Sequence, residues 1–300
     1  MDTRLLHAFV MLTRIGNITN TAETLHISQP TLSRQLKELE EEVGTPLFIR
    51  GKRLITLTDA GIIFEQRAQT ILDYLSQTKL DLRNQSTGLA GKIRIGCVES
   101  HISTYVAKWL AAFQQKHPNT TFSIYSADGN SIRTQLDQGN LDIGFLIEPV
   151  ESAKYWAHHI PVTETWGLMM AKKAKLAQRS SITGADLTGL PLLGARRSIV
   201  INQVSSWLKI DPDGLNLRGE RNLGNNILPL IADYGYYDIS ISGMLDFYPQ
   251  DRVTFVPFQP LSQTQHTLIY RKNHQLSPTA QAFINDVTAQ IKNMTIPADD

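Results

Sequence analysis

The sequence predicts an α/β protein with a helix-rich N-terminal domain, and three observations support this fold class. Over residues 1–58, apolar side chains recur at helical spacing before one short alternating stretch. One long helical pattern then continues until shortly before the sequence STGLAG. From Gly91 onward, short apolar runs alternate with amphipathic segments, which is typical of α/β units around a mostly parallel sheet.

Composition and charge exclude several classes of protein. The 300 residues are 42% hydrophobic and 19% charged, as in a globular chain of more than one domain. A formal net charge of +1 gives no general attraction to nucleic acid or acidic membranes. No segment approaches the ~20 apolar residues of a membrane span, and the first residues lack the pattern of an export signal. We therefore expect a soluble, cytoplasmic protein with no membrane partner.

The single cysteine, Cys97, excludes an intrachain disulfide and is typical of a reducing compartment. It lies within the apolar run IRIGCV. A buried, small hydrophobic side chain is therefore favoured over the alternative of a redox sensor.

The first 58 residues have the outline of a winged helix-turn-helix. A helix over residues 3–15 ends at Gly16, and a second, short helix follows near Thr19 to Leu25. Ser28 caps a third helix, with Pro30 in its first turn. The third helix carries one apolar stripe, formed by Leu32, Leu36, Leu39 and Val43. The alternating stretch PLFIRGKRLITLT then predicts a hairpin.

The outer face of the third helix carries short polar and basic side chains. On a wheel of about 100° per residue, Ser33, Arg34 and Lys37 lie away from the leucine stripe. Gln29 can pair with adenine, Arg34 with guanine, and the Thr31 methyl group can contact thymine. Glu38 and Glu40 to Glu42 lie in later turns, away from DNA that meets the N-terminal end of the helix. We predict a recognition helix whose DNA contacts are Gln29, Pro30, Thr31, Ser33, Arg34 and Lys37.

Arg50, Lys52 and Arg53 cluster at the tip of the predicted hairpin. Such a trio can be a solvated turn, but beside a recognition helix we expect it to contact phosphates or the minor groove. Residues 1–60 contain seven basic and seven acidic residues. Affinity for DNA must therefore depend on segregated charge and on dimerisation rather than on bulk attraction.

The long helix that Thr58 caps carries apolar residues in steps of four and three, which suits a short coiled coil. The alternative is packing on its own chain. We expect two chains to pair through Phe64, Ile71, Leu75 and Leu82. The predicted domains are thus 1–58 for DNA binding, 59–90 for the linker helix and hinge, and 91–300 for the remaining α/β domain.

The stretch NITNTAETLHISQPTLSRQLKELEEEVGTPLFIRGKRLITLTDAG closely resembles the DNA-binding domain of LysR-type transcriptional regulators, which are bacterial proteins. KIRIGCVES, QGNLDIGF and ETWGLMMAKKAKLA more loosely resemble the family's effector-binding domain. The resemblance implies a two-lobed fold of the type 2 periplasmic-binding-protein kind, with lobes at 91–162 plus 267–296 and at 163–266. It also implies double-stranded promoter DNA, a small-molecule effector and homodimers or homotetramers, with RNA polymerase as a further candidate partner.

The junction VESHISTYV is the first candidate for an effector site. Ser100 is expected to cap the next helix, whose free N–H groups would bind an anion, and Ser103 adds a hydroxyl group. Asn130, after the next strand, is another candidate lining residue. The resemblance places Arg197 and Ser198 on the opposite lobe, although Arg196 and Arg197 could equally be a surface pair. A small carboxylate is therefore one expected class of effector.

Enzymatic function is not expected. Ser100 and His101 are adjacent at a helix start, where neighbours point in different directions, so they make a poor nucleophile–base pair. No phosphate loop or nucleophile elbow occurs in the sequence. His158 and His159 would face opposite sides of a strand, which argues against a shared metal. We expect no catalytic residues, no cofactor and no metal. The rival class, a binding or transport protein without DNA function, does not explain residues 1–60.

Overall fold

The computed structural model describes residues 2–51, 54–83, 89–196 and 198–294. The chain forms two units, Met1–Ser86 and Thr87–Asp300. The boundary between them lies inside the segment expected to be a linker, and the finer domain boundaries remain a prediction.

The first unit contains four helices and a two-stranded hairpin among its described residues. The elements are α1 (Thr3–Ile15), α2 (Ile18–Thr24), α3 (Gln29–Val43), β1 (Phe48–Arg50), β2 (Ile55–Leu57) and α4 (Asp59–Arg83). Strand β1 pairs antiparallel with β2. Gly16 and Gly44 end α1 and α3 in the left-handed region, at φ 74° and 78°, which glycine adopts without steric cost. These helix limits and the hairpin confirm the sequence prediction.

The apolar stripe of α3 forms the centre of this unit. Leu32, Leu36 and Leu39 are buried against side chains of α1, and Val43 packs at the edge. Because this face of α3 is buried, the residues on its opposite face are exposed to solvent. Gly61, in the first turn of α4, lies so close to the Leu47 carbonyl that a Cβ atom would overlap it. The hairpin and α4 are therefore held in close contact.

The second unit alternates strands and helices. Its strands are β3 (Gly91–Cys97), β4 (Thr120–Ser126), β5 (Ile143–Ile147), β6 (Tyr155–Ala171), β7 (Leu192–Ala195), β8 (Leu217–Arg221), β9 (Tyr237–Ile241), β10 (Val253–Pro257) and β11 (Gln263–Arg271). Its helices are α5 (Ile102–Lys116), α6 (Gly129–Asp137), α7 (Ser198–Leu208), α8 (Leu228–Tyr234) and α9 (Pro278–Lys292). The strands lie in the order β4-β3-β5-β11-β6-β9-β7-β8, with β10 also pairing with β6.

The expectation of a mostly parallel sheet is wrong. Parallel pairing is confined to the two ends of the sheet, β4-β3-β5 and β9-β7-β8. The central strands β6 and β11 are antiparallel to each other and to their other neighbours. They cross between the two parallel ends, so each end forms its own layered α/β body.

Two separate apolar cores follow from this arrangement. The first contains buried side chains from residues 93–162 and 268–291, and the second from residues 166–258. We call these bodies lobe I and lobe II. The two lobes are joined through β6 and β11, and a cleft lies between them where parallel strands end.

Candidate functional site

The N-terminal end of α3 is capped by hydrogen bonds and presents a polar surface. The Ser28 hydroxyl group accepts a hydrogen bond from the Thr31 N–H at 3.3 Å and pairs with the Thr31 hydroxyl group at 2.7 Å. Gln29 donates from Nε2 to the Ser33 hydroxyl group at 2.9 Å. These contacts align Gln29 and Ser33 on one face, one helical turn apart. A planar amide in that position can form two hydrogen bonds with a base edge.

Arg34 and Lys37 are the basic residues of this surface. Their side chains are 75% and 74% exposed. Each faces a glutamate one turn later, Arg34 to Glu38 at 3.7 Å and Lys37 to Glu41 at 3.3 Å. Such exposed pairs are weak, so DNA phosphates or bases can replace the glutamates at little cost.

The predicted wing is described only in part. Arg50 lies in β1, but its side chain, together with Lys52 and Arg53, lies outside the described residues. The role of these three residues in DNA contact therefore remains a prediction.

Glu40 has a structural role that the sequence analysis did not assign. Its Oε1 accepts hydrogen bonds from the backbone N–H groups of Leu47 at 2.7 Å and Phe48 at 3.4 Å. The glutamate thus connects α3 to the first strand of the hairpin. The spacing of seven residues across a turn carries no recognisable sequence signal.

The apolar residues of α4 fall into two groups, one packed on its own chain and one exposed. Phe64 packs edge-on against Phe9 of α1, with ring centroids 5.3 Å apart, so this part of the seam contacts its own chain. Ile71 and Leu75 are 41% and 37% exposed and are available to a second chain. The Leu82 side chain lies outside the described residues.

The cleft between the lobes has a cavity of about 90 Å³. Lobe I contributes the carboxyl end of β3 and the start of α6, while lobe II contributes residues that follow β8 and β9. Polar wall residues include Glu99, Asp128, Glu148, Arg221, Asn222 and Ser240. This is the place where ligands bind in open α/β sheets, outside the carboxyl ends of parallel strands.

Arg221 is committed to a buried ion pair. It donates to both carboxylate oxygens of Asp238, at 2.8 and 2.7 Å, and to the Ser240 hydroxyl group at 3.2 Å. Burial alone would lower the pKa of Arg221, but the attraction of Asp238 raises it. Sequence analysis missed Arg221 and Glu99 as wall residues, although both stand at the carboxyl end of a parallel strand.

Ser100 does not cap α5, contrary to expectation. It is fully buried, and its hydroxyl group pairs with Nε2 of His266 at 2.8 Å. Ser103 donates to the Ser100 carbonyl at 2.8 Å. Asn130 is exposed and accepts from Arg133 at 2.7 Å.

Of the expected effector residues whose side chains the structure describes, Ser100, Ser103 and Asn130 do not line this cavity. Arg197 and the Ser198 side chain lie outside the described residues. Their neighbour Arg196 forms an ion pair with Asp128 of lobe I at 3.2 Å. An effector role for the predicted residues stays a prediction.

A carboxylate of the protein itself occupies the N-terminal end of α5. Glu164 of β6 accepts from the His101 N–H at 2.7 Å, the Gly243 N–H at 2.7 Å and the Ser242 hydroxyl group at 2.9 Å. The anion expected at this helix start is thus supplied by the chain. Because Ser242 and Gly243 belong to lobe II, the same carboxylate joins the two lobes.

His101 completes this junction. Its Nδ1 lies 3.3 Å from Glu164 Oε2, and its Nε2 lies 3.5 Å from Asp246 Oδ2 of lobe II. The hydrogen bond to Glu164 raises the pKa of His101 above 6.5. Burial alone would raise the pKa of Glu164, but hydrogen bonding to His101 and the backbone lowers it. Burial lowers the pKa of the neighbouring His266.

A wider groove of about 640 Å³ lies beside the cleft, and several of its polar groups bind Glu148. Glu148 Oε1, for example, accepts from Thr267 at 2.6 Å and pairs with His159 at 2.8 Å. Cys97 is buried, and burial raises the pKa of its thiol to about 12, so it is a packing residue. Within the described residues, no cluster of possible metal ligands occurs, and no helix is long and apolar enough to cross a membrane.

Comparison with known proteins identifies the two units. The family model for the "Bacterial regulatory helix-turn-helix protein, lysR family" matches residues 3–62, and that for the "LysR substrate binding domain" matches residues 86–292. The Hca operon transcriptional activator HcaR of Escherichia coli is 27% identical over 300 residues, which cover 98% of this chain and 100% of HcaR. The transcriptional activator IlvY of Salmonella typhimurium is 32% identical over 215 residues, covering 70% and 71%.

A solved structure has the same fold over nearly the whole chain. Full-length CbnR complexed with its target DNA matches with a TM-score of 0.73 at 23% identity, covering 96% of this chain and 99% of CbnR. The chain belongs to the LysR family of transcriptional regulators. It is a DNA-binding regulator with an effector-binding domain and not an enzyme.

Proposed function

We propose that the chain contacts double-stranded promoter DNA with the N-terminal end of α3 and responds to a small effector bound in the cleft between the lobes. The observation that carries the DNA contact is the division of α3 into two faces. Leu32 and Leu36 are buried, while Gln29, Arg34 and Lys37 face solvent. The exposed face of α3 therefore carries amide and guanidinium groups, which can form hydrogen bonds with base edges in the major groove.

Pairing of two chains through α4 is the second part of the proposal. Exposed Ile71 and Leu75 lie four residues apart on one side of the helix, as in a coiled-coil seam. A dimer presents two copies of α3 to one operator, which offsets the zero net charge of residues 1–60. We extend the proposal to homotetramers that act in the cytoplasm, with RNA polymerase as a further partner.

Regulation follows from the two-lobed arrangement. A ligand in the cleft contacts both lobes and stabilises the lobe placement to which it binds more tightly. That placement biases the geometry in which paired chains bind DNA. The proposed limits are 1–58 for DNA binding, 59–90 for the linker and 91–300 for effector binding.

Arg34→Ala tests the DNA contact. The variant loses one guanidinium group at the surface of α3, and each good base contact contributes about 1–3 kcal/mol of discrimination. We expect affinity for the promoter beside its own gene to fall about tenfold or more in a gel shift with competitor DNA. Arg67→Ala removes the same charge from an exposed position of α4 and should leave affinity within about twofold. Unchanged operator affinity in Arg34→Ala would contradict the proposal.

A further inference from the structure

Glu99 has a buried carboxylate oxygen without a partner in the cleft. Oε2 of Glu99 is inaccessible to solvent and accepts no hydrogen bond from the described residues. Among the described residues, its Oε1 has one long contact, of 3.4 Å, with Nδ2 of Asn225. Leaving a buried carboxylate oxygen unpaired is costly, so a site of this kind is completed by a donor from elsewhere.

The other acidic side chains of the cleft already have partners. Asp128 forms its ion pair with Arg196, and Glu148 is bound by His159 and Thr267. Neither offers a buried oxygen that lacks a donor among the described side chains. Among the described acidic side chains of the cleft, Glu99 is therefore the one with a buried oxygen that lacks a donor.

The guanidinium group of Arg221 in the cleft wall is already bound to another carboxylate. Arg221 pairs with Asp238 through two hydrogen bonds, and the negative charge of Glu99 acts on this guanidinium group in addition. Among the described residues, two carboxylates and one guanidinium group leave one formal negative charge in this part of the wall. A cation is favoured there over an anion.

Two aromatic side chains supply an independent observation. Trp166, which lines the cleft and is 6% exposed, has an indole N–H without an acceptor among the described residues. Tyr248 is 5% exposed, and its hydroxyl group is likewise unpaired. That hydroxyl group lies against Gly224 in the cleft wall, since a Cβ atom on Gly224 would overlap it. Indole and phenol groups of this kind normally find a partner when buried.

Apart from Asn222 and Ser240, the remainder of the wall is apolar. It is formed by Val98, Ile147, Val200, Leu223, Ile241 and Met244. The cavity wall thus combines one carboxylate oxygen that lacks a donor, one indole N–H that lacks an acceptor, and apolar side chains that exclude water.

These wall residues define the class of effector, provided that the cleft is the effector site, as the proposed function requires. We propose that the effector is a small organic amine, whose ammonium group binds Glu99 and whose nearby oxygen atom accepts from Trp166, on a short apolar body. This replaces the carboxylate expected from the start of α5, where Glu164 already provides the anion.

Four matched probes separate the charge requirement from size and shape: L-valinamide, L-valine, isovaleramide and isovalerate. The first two carry an ammonium group, and the last two lack it. Binding to the full-length protein is measured by calorimetry at about pH 6.5, where an α-amino group with a pKa of about 8 is protonated. We expect each amine to bind at least about tenfold more tightly than its deaminated counterpart, because a charge-assisted hydrogen bond is lost in the latter.

Glu99→Gln keeps the shape of the side chain and removes its charge. It should abolish the preference for the amines within each pair. Glu220→Gln makes the same change at an exposed position of β8 outside the cleft and should leave the preference intact. The wild-type comparison does not depend on either variant folding.

The proposal is overturned if the deaminated probes bind equally well or better, if no probe shows ammonium-dependent binding, or if Glu99→Gln keeps the full preference. A gel shift on the same preparations distinguishes this failure from failure of the proposed function. If the protein binds the promoter but shows no preference for the amines, only the proposed class of effector is contradicted. If the wild-type protein does not bind the promoter, the proposed DNA contact is contradicted.

Discussion

At the scale of single residues, the glutamates of α3 have different physical roles. Glu38 and Glu41 face basic residues one turn earlier on an exposed surface. Glu40 instead accepts the backbone N–H groups of Leu47 and Phe48. The sequence predicts that all these glutamates lie beyond the DNA contact, but only the structure shows that one of them fixes the hairpin.

Glu40→Ala should therefore destabilise the first unit. The change leaves the N–H group of buried Leu47 without an acceptor, which costs about 1–3 kcal/mol. Glu41→Ala removes only an exposed ion pair and should cost less than about 0.5 kcal/mol. Urea unfolding followed by far-UV circular dichroism measures both variants. Equal stability of the two would contradict the structural role of Glu40.

Ser100 shows why side-chain roles are harder to predict than helix limits. Serine before a helix is a common cap, and the sequence contains nothing that announces His266, 166 residues later, as its partner. Ser28 and Thr58 are correctly predicted as caps because the backbone N–H groups that donate to their hydroxyl groups lie three residues later. Local hydrogen bonds can be predicted from local sequence, and long-range bonds cannot.

At the scale of elements, α4 illustrates the same limit in its packing. Its helical span is predictable from apolar spacing, but spacing alone does not say which chain covers each apolar residue. The structure assigns Phe64 to the intrachain core and leaves Ile71 and Leu75 exposed. The proposed dimer seam is therefore shorter than the one the sequence predicts.

Leu75→Glu should weaken the dimer and, through it, operator binding. A carboxylate placed in an apolar seam must be desolvated opposite its own copy, which is unfavourable. We expect a shift toward monomer in light scattering and a loss of operator affinity of about tenfold or more, because bivalent binding is lost.

Gln66→Glu is the matched control for this change. Residue 66 lies nine positions before Leu75, which places it about 180° away on the helix, and it is exposed. It adds the same charge and should leave the dimer intact. Dimers of normal strength in Leu75→Glu would remove α4 from the proposed interface.

At the scale of the whole chain, the long strand β6 determines the two-lobed architecture. A continuous apolar run indicates a strand only from Trp166 onward, whereas β6 begins at Tyr155. Its first half contains half-exposed polar residues such as His159, so it lacks the apolar alternation that indicates a strand. Pairing with β11, more than a hundred residues later, stabilises it instead. Only the family resemblance predicts that two strands cross between the lobes.

The contact between the lobes should depend on pH through His101. The pKa of His101 is raised in the folded chain, so the protonated form is bound more favourably than in the unfolded chain. The resulting stability is fully present below pH 6.5, the ordinary value, and is lost as pH rises through the raised pKa. Because the side chain is partly exposed, we discount its contribution to about 1 kcal/mol, or about 2–4 °C in Tm for a domain of this size.

His101→Gln tests this coupling by the difference in Tm from wild type between about pH 5.5 and pH 8.5. The difference should be largest at the acidic end and shrink toward the basic end, where wild type loses its charged pair with Glu164 and Asp246. His266, whose pKa is lowered by burial and also by the charge of His101, has the opposite pH dependence. It is present in both proteins, so only the part that depends on His101 enters the difference. His274→Gln, at a half-exposed loop position, should show no such trend. A Tm difference that is flat or grows with pH would show that the charge on His101 does not hold the lobes together.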